Sequence, residues 1–150
     1  MKIEEKINES IKDSMKEKNR LRLDSLRAIK SAIIIEKTKS GSKDQIEESV
    51  VLKILQKMVK QRNDSAKIYL EQNRKELADV EASQANIISE FLPTQLSESE
   101  LSEMIDNVIE EVGAESMKDM GNVISKVNER VSGQAEGRVI AEIVKKKLIG

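Results

Sequence analysis

The sequence predicts an all-α fold in two helical parts: an N-terminal four-helix portion with one long helix, and a C-terminal three-helix bundle. Charged residues make up 35% of the 150 residues and aromatic residues 1%, with six glycines and one proline. Lys, Glu, Leu, Ile and Ala favour helices, and few residues in this chain would break one. Apolar residues recur three and four positions apart along most of the chain, which is the spacing of a buried helix face.

Four helices are predicted before the proline. The first helix is indicated by one apolar series, which is Ile3, Ile7, Ile11 and Met15. The second helix, at about 19–38, is indicated by Leu23, Leu26, Ile29 and Ile33. Ser42 and Gln45 have the spacing of a capping box, so we expect the third helix to open there. Running to about Gln72, it would be about 45 Å long at about 1.5 Å per residue. The fourth helix is indicated by a mainly apolar series, which is Leu77, Val80, Gln84, Ile87, Ile88 and Phe91.

Pro93 predicts the boundary between the two parts. A proline disfavours the α conformation in the residue before it, so the fourth helix must stop at Phe91–Leu92. Ser97 and Glu100 then form a capping box for a new helix, and Gly113 is the expected C-terminal cap. We therefore predict an N-terminal domain of residues 1–92 and a C-terminal domain of residues 94–150. Two further helices complete the C-terminal domain, the first carrying Met117, Met120, Ile124, Val127 and Val131 and the second beginning after a turn at Gly133 and Gly137.

The composition argues against several function classes. The chain has no cysteine and no histidine, which excludes disulfides and the commonest metal ligands and leaves no ordinary nucleophile–base pair. Glu103, Asp106, Glu110 and Glu111 have helical spacing, but without histidine they indicate a solvated acidic face rather than a metal site. We expect no catalytic residues, no metal and no cofactor. A charged N-terminus and the lack of an apolar run near ~20 residues predict a soluble cytoplasmic protein with no membrane contact.

Charge is distributed unevenly along the chain. Residues 1–75 hold 19 basic and 12 acidic residues, whereas residues 76–117 hold 11 acidic residues and no basic one. Residues 118–150 hold seven basic and four acidic residues. The acidic stretch could bind the basic parts of the same chain or form a solvated face that repels polyanions, and charge alone leaves both open.

Basic residues on two predicted helices are the candidate phosphate contacts of the N-terminal part. Lys53, Lys57 and Lys60, with Lys67, fall within about 80° of arc on the third helix. They could track a phosphate backbone or simply form a solvated face. Arg27 and Lys30, which cluster with Arg20 and Arg22 near the second helix, have the same two interpretations. Arg62 lies on the apolar side of the third helix, where we expect it to pair with a carboxylate inside the fold.

Four stretches, "KQRNDSAKIYLEQNRKELADVE", "EFLPTQLSESEL", "ESMKDMG" and "SGQAEGR", resemble the YqeY family in this order. The C-terminal part is similar to the tail domain of GatB, the tRNA-binding subunit of the glutamine-dependent aminoacyl-tRNA amidotransferase. The resemblance implies an all-helical two-part protein whose tail helps to hold tRNA. It also implies that the carbon–nitrogen ligase activity of the amidotransferase, with glutamine as amido-nitrogen donor, belongs to catalytic parts that this chain does not contain.

The resemblance also implies which tail residues matter. The positions that match the shared motif are Met117, Lys118, Asp119, Met120, Gly121, Gly133, Ala135, Gly137 and Arg138. We take Lys118, Lys126 and Arg138 as candidate nucleic-acid contacts, and Gly113, Gly121, Gly133 and Gly137 as structural positions alongside Arg62 and Pro93. Asn122 and Gln134 depart from the family pattern, in which these positions usually carry a basic residue and an arginine.

The expected function is a non-catalytic tRNA-binding or amidotransferase-like accessory module. Its partners would be tRNA and a tRNA-charging enzyme or amidotransferase. DNA is not expected, because the last helix carries its basic residues at the C-terminal end, whereas a recognition helix contacts bases near its N-terminus. The alternative is a helical protein–protein adaptor that binds no nucleic acid.

Overall fold

The computed structural model describes residues 2–41 and 46–149, and within these the chain forms seven α-helices, one short 3₁₀ helix and no strand. The all-α prediction is confirmed. The helices are α1 (Ile3–Lys16), α2 (Arg20–Ser40), α3 (Glu48–Glu71), α4 (Lys75–Ser89), α5 (Glu98–Val112), α6 (Met120–Val131) and α7 (Gly137–Ile149), with the 3₁₀ helix at Met117–Asp119 before α6. The chain divides into two compact units, one ending at Leu92 and the other beginning at Pro93.

The core of the first unit is built from α1 to α4. Its fully or nearly buried apolar side chains are Ile7, Leu26, Ile29, Ile33, Val51, Leu55, Met58 and Ile88. Met15, expected on the apolar edge of α1, is instead 55% exposed, and Ser14 is 1% exposed. Four residues turn a helix by about 400°, so each i, i+4 step moves the side chain about 40° around the helix axis. Seven residues turn it by about 700°, which is close to two full turns, so Ser14 lies almost directly in line with Ile7.

The second and third helices have different limits from those expected. Asn19 caps α2 by accepting a hydrogen bond from the Arg22 N–H at 3.1 Å, and Gly41 ends it with a φ of 73°. The predicted capping box at Ser42 and Gln45 lies outside the described residues. Helix α3 begins at Glu48 and spans 24 residues, which is about 36 Å rather than 45 Å.

Helices α3 and α4 form a hairpin in which both helices carry buried alanines. Ala66, Ala78 and Ala85 are buried, whereas Leu77 and Val80 are 37% and 45% exposed. The prediction that Leu77 and Val80 belong to the buried face of α4 is therefore wrong. Small side chains allow two helices to approach closely, and on α4 Ala78 and Ala85 are buried while Leu77 and Val80 lie outside.

The second unit is a three-helix bundle with its own core. Leu101, Ile105, Val108, Val123, Val127, Val131, Ile140, Val144 and Leu148 are buried in it. Ser97 and Glu100 form the expected capping box, and Gly113 ends α5 with a φ of 66°. The sixth helix starts three residues later than its apolar series suggested, because Met117 lies in the 3₁₀ helix and is 42% exposed.

The residues that follow Pro93 are joined to the turn between α6 and α7. The Gln95 side-chain amide donates hydrogen bonds to the carbonyl oxygens of Pro93 and Gly133, at 2.9 and 2.8 Å. The Leu96 N–H donates to the Gln134 carbonyl at 2.9 Å, and the Gln134 side-chain amide donates to the Thr94 carbonyl at 3.2 Å. Pro93 thus begins the second unit, and backbone and amide hydrogen bonds within that unit fix the segment that follows it.

Candidate nucleic-acid interface

The lysines of α3 lie on its solvent side, as the helical spacing predicted. Lys53 and Lys57 are exposed and make no hydrogen bond or ion pair within residues 2–41 and 46–149. Lys60 is half-buried and its ammonium lies 2.7 Å from the Asp64 carboxylate, one helical turn away. Because an internal carboxylate already neutralises it, Lys60 is a weaker phosphate contact than Lys53 or Lys57.

Arg27 and Lys30 are exposed on α2. Neither has an ion-pair partner in the described part of the chain. Two other basic residues of the same helix are paired instead: Arg22 lies 2.8 Å from Glu90 and Lys37 lies 2.8 Å from Glu4. The hydrogen bond that Arg22 donates to the Glu90 carboxylate raises the pKa of Arg22. Arg22 and Lys37 therefore hold helices together, whereas Arg27 and Lys30 face solvent.

Arg62 is half-buried between α3 and α4, and in the part of the chain that the structure describes it lacks the carboxylate partner that we expected. Within the described residues its guanidinium donates to the Gln84 side-chain oxygen at 3.3 Å and to the Met58 carbonyl at 3.5 Å. A half-buried guanidinium keeps part of its hydration, so a neutral amide oxygen is a sufficient partner.

The basic candidates of the second unit are all exposed. Lys118 lies in the 3₁₀ helix, Lys126 on α6 and Arg138 at the start of α7. The neighbouring Asp119 accepts hydrogen bonds from the N–H groups of Glu115 and Ser116, at 3.0 and 3.4 Å. Asp119 therefore fixes the loop that presents Lys118, which gives the matching motif a structural explanation.

The four glycine positions differ in what they require. Gly113 and Gly133 have φ values of 66° and 82°, which only glycine adopts without strain. Gly121 and Gly137 lie within the first turns of α6 and α7, and an added Cβ would meet no atom within 4 Å at either position. Neither backbone conformation nor packing within the chain explains a glycine at 121 or 137.

The acidic stretch contributes partners to basic residues of each unit. Within the second unit, Asp106 lies 2.7 Å from Lys147, and the Glu111 carboxylate makes a two-point contact with Arg130. The Arg130 hydrogen bond lowers the pKa of Glu111, and the same contact raises the pKa of Arg130. With Glu90 in the first unit, these residues favour the interpretation that part of the acidic stretch binds basic segments of the same chain.

The turn between α1 and α2 carries a feature that the sequence did not predict. A surface depression of about 410 Å³ lies there, lined by Ser14, Met15, Lys18, Asn19, Arg20 and Leu23. Ser14 is buried and its hydroxyl has no hydrogen-bond partner in the described structure. The i, i+7 relation of Ser14 to Ile7 was the only sequence signal that could have placed a hydroxyl here.

Residues 2–41 and 46–149 contain no group of three or more acidic side chains arranged to hold a metal ion. None of the helices described for this chain combines the length and the apolar character that crossing a membrane requires.

Comparison with known proteins identifies the family. The model of the family described as "Yqey-like protein" matches residues 4–148. The chain is similar to the altered inheritance of mitochondria protein 41, mitochondrial, of Clavispora lusitaniae, with 30% identity over 122 residues, which cover 79% of this chain and 70% of that protein. The protein of the same name from Pyrenophora tritici-repentis is 26% identical over 146 residues, covering 95% of this chain and 77% of its own length. The chain belongs to the YqeY-like family.

Proposed function

We propose that this chain is a non-catalytic tRNA-binding module that accompanies a tRNA-charging enzyme or an amidotransferase. The proposal rests on exposed cations that have no ion-pair partner among the described residues. Lys53, Lys57, Arg27 and Lys30 face solvent without an ion-pair partner in the described part of the chain. Unpaired cations on a surface are available to phosphates, which provide most of the affinity of nucleic-acid binding.

The paired cations of the chain support this assignment by contrast. Arg22, Lys37, Arg130 and Lys147 each bind a carboxylate of the same unit. Neutralised in this way, they contribute to holding helices together rather than to attracting RNA. The remaining candidates of the second unit, Lys118, Lys126 and Arg138, are exposed and would add phosphate contacts there.

The cellular compartment is part of the proposal. We place this chain in the cytoplasm, where its lack of cysteine fits a reducing environment. The names of the two fungal relatives include the word mitochondrial. Transfer RNA is present in both compartments, so the proposed activity is compatible with either.

Filter binding of bulk tRNA to the full-length chain at about 50 and 200 mM salt tests the function. We expect saturable binding that weakens steeply with salt, because each phosphate contact releases condensed counterions. A folded protein that retains no tRNA at the lower salt concentration would contradict the proposal.

A protein–protein adaptor is the second candidate, and the end of the α3–α4 hairpin favours it. Ile68 and Leu70 in the last turns of α3 and Leu77 and Val80 in the first turns of α4 are between 37% and 56% exposed. All four lie at the end of the hairpin where the chain turns between the helices. Exposed apolar residues grouped in one region commonly mark a protein interface.

The two candidates respond to different substitutions. Replacing Leu77 and Val80 with serine should leave tRNA retention unchanged if the chain acts through phosphates. Loss of a partner's co-purification in that variant, combined with no tRNA binding by the wild type, would make the adaptor the better description.

A further inference from the structure

We propose that the depression at the turn between α1 and α2 binds a phosphate group of an organic phosphate ester. This inference extends the proposed function, since the backbone of an RNA is one source of such a group and a small sugar phosphate is another. The depression is lined by Ser14, Met15, Lys18, Asn19, Arg20 and Leu23.

The start of α2 provides backbone donors and a favourable field. The first N–H groups of a helix have no acceptor within it, and their aligned dipoles attract an anion. Asn19 accepts the N–H of Arg22, and no acidic residue lies in the first turn of α2. Lys18 and Arg20, on either side of Asn19, add two exposed cations.

The Ser14 hydroxyl provides independent support for a ligand in the depression. Its side chain is 1% exposed, and its hydroxyl has no hydrogen-bond partner in the described residues. A buried hydroxyl without a partner is unfavourable, so such groups are normally satisfied. A phosphate oxygen seated against the floor of the depression would accept a hydrogen bond from the Ser14 hydroxyl and supply the missing partner.

The size of the depression and its apolar lining indicate that the ligand is a phosphate ester rather than inorganic phosphate. The volume of about 410 Å³ is several times what a phosphate group fills. Met15 and Leu23 line the remaining space, and Met15 is 55% exposed. A carbon skeleton attached to the phosphate would cover these side chains and bury apolar surface.

One carboxylate competes with the proposed ligand. Arg20 lies 3.4 Å from Asp24, with the two side chains 85% and 50% exposed. This ion pair is longer than the 2.7 Å between Lys60 and Asp64, and the Arg20 side chain is more exposed than that of Lys60. A phosphate can therefore replace Asp24 as the partner of Arg20. Removal of the Asp24 charge should therefore strengthen binding.

Titration calorimetry of the full-length chain with ribose 5-phosphate and with a short oligoribonucleotide tests the inference. Wild type should bind the sugar phosphate saturably, and Asp24→Asn should bind it more tightly. Ser14→Ala should fold and bind roughly tenfold more weakly, the loss expected for one hydrogen bond to a charged group. Lys18→Gly should weaken binding similarly, and it should also fold, because Lys18 has a φ of 57° that glycine adopts readily.

Ser25→Ala is the matched control. Ser25 is also fully buried, but its hydroxyl donates to the Leu21 carbonyl at 3.0 Å and it does not line the depression. It should bind the sugar phosphate like wild type. If neither probe binds saturably, the inference is wrong. It is also wrong if Ser14→Ala and wild type bind a probe with equal affinity.

The outcomes separate this inference from the proposed function. Sugar-phosphate binding without tRNA retention would support the pocket and reject the tRNA module. Retention of tRNA that is unaffected by Ser14→Ala and Lys18→Gly would support the module and reject the pocket. Binding of the oligoribonucleotide alone, lost in both variants, would identify RNA as the source of the phosphate.

Discussion

The Arg62 guanidinium links α3 to α4, because it donates hydrogen bonds to the Gln84 side chain and to the Met58 carbonyl. Its position on the apolar side of α3 correctly indicated a place between helices, since it contacts Gln84 on α4. The pattern could not identify the partner, because any acceptor on the facing helix would satisfy a guanidinium. Nor could it reveal that the residue is only half-buried, which removes the need for a carboxylate.

Substitution of Arg62 by alanine should lower the free energy of unfolding by about 1 kcal/mol, the typical contribution of a partly exposed hydrogen bond. Chemical denaturation of the two proteins measures this difference. Lys67→Ala, on the exposed side of the same helix, should change stability little. If Arg62→Ala were as stable as wild type but bound tRNA more weakly, Arg62 would be a ligand contact instead.

At the level of helices, local capping chemistry predicted boundaries best. Ser97, Glu100 and Gly113 mark the limits of α5 as expected, because each signal depends on backbone groups within a few residues. The buried face of α4 was predicted correctly only in its second half, where Ile88 is buried and Ile87 packs against the core. In the first half Ala78 is buried and Leu77 and Val80 are exposed, because which side of a helix is buried depends on the packing of neighbouring helices.

The turn between α6 and α7 should depend on one of its two glycines. Gly133→Ala places a Cβ on a residue with a φ of 82° and should cost about 1–2 kcal/mol. Gly137→Ala, in the first turn of α7 with no atom within 4 Å of the added Cβ, should not destabilise the protein. Thermal unfolding of both variants makes the comparison, and equal losses would mean that the left-handed conformation is not what requires Gly133.

The contact between Glu111 and Arg130 predicts a pH dependence for the second unit. Arg130 lowers the pKa of Glu111 below its ordinary value of 4.5, so the folded state favours the charged carboxylate more than the unfolded state does. Its stabilising contribution is therefore complete above pH 4.5 and disappears as pH falls through the lower, folded-state value.

Glu111→Gln should therefore melt at a lower temperature than wild type at neutral pH, and the difference should vanish in acid. The effect will be small, because both side chains are largely solvated. Glu110→Gln removes an adjacent exposed charge and serves as the control. A difference between wild type and Glu111→Gln that stays constant from neutral pH to about pH 2 would show that the charge of Glu111 is not responsible.

For the molecule as a whole, the sequence shows which residues carry charge. It does not show which of them form ion pairs within the chain and which remain available to contact phosphates. Lys57 and Lys60 looked equivalent on a helical projection, yet Lys60 pairs with Asp64 and Lys57 has no ion-pair partner among the described residues. Likewise, the acidic stretch could not be assigned a role until Asp106 and Glu111 were seen to bind Lys147 and Arg130. Pairing between helices depends on tertiary packing, which a single helix pattern does not contain.

The distinction between paired and unpaired cations leads to a quantitative prediction for tRNA binding. The logarithm of affinity falls with the logarithm of salt concentration by roughly 0.7–0.9 for each phosphate contacted. Replacing Lys53 and Lys57 together by glutamine should therefore reduce the slope by about two units and weaken binding at low salt. Lys60→Gln should change the slope less, because Asp64 already lies 2.7 Å from its ammonium.

A charge-matched control separates a specific surface from general attraction. Lys6→Gln combined with Lys12→Gln removes the same charge from exposed positions on α1 of the same unit. If tRNA contacts the lysine face of α3, this control should keep the wild-type slope while lowering affinity only slightly through the change in net charge. If both double variants reduce the slope equally, phosphates do not select the α3 surface and binding reflects the overall charge of the first unit. The measurement thus decides whether the basic residues act by their position or only by their number.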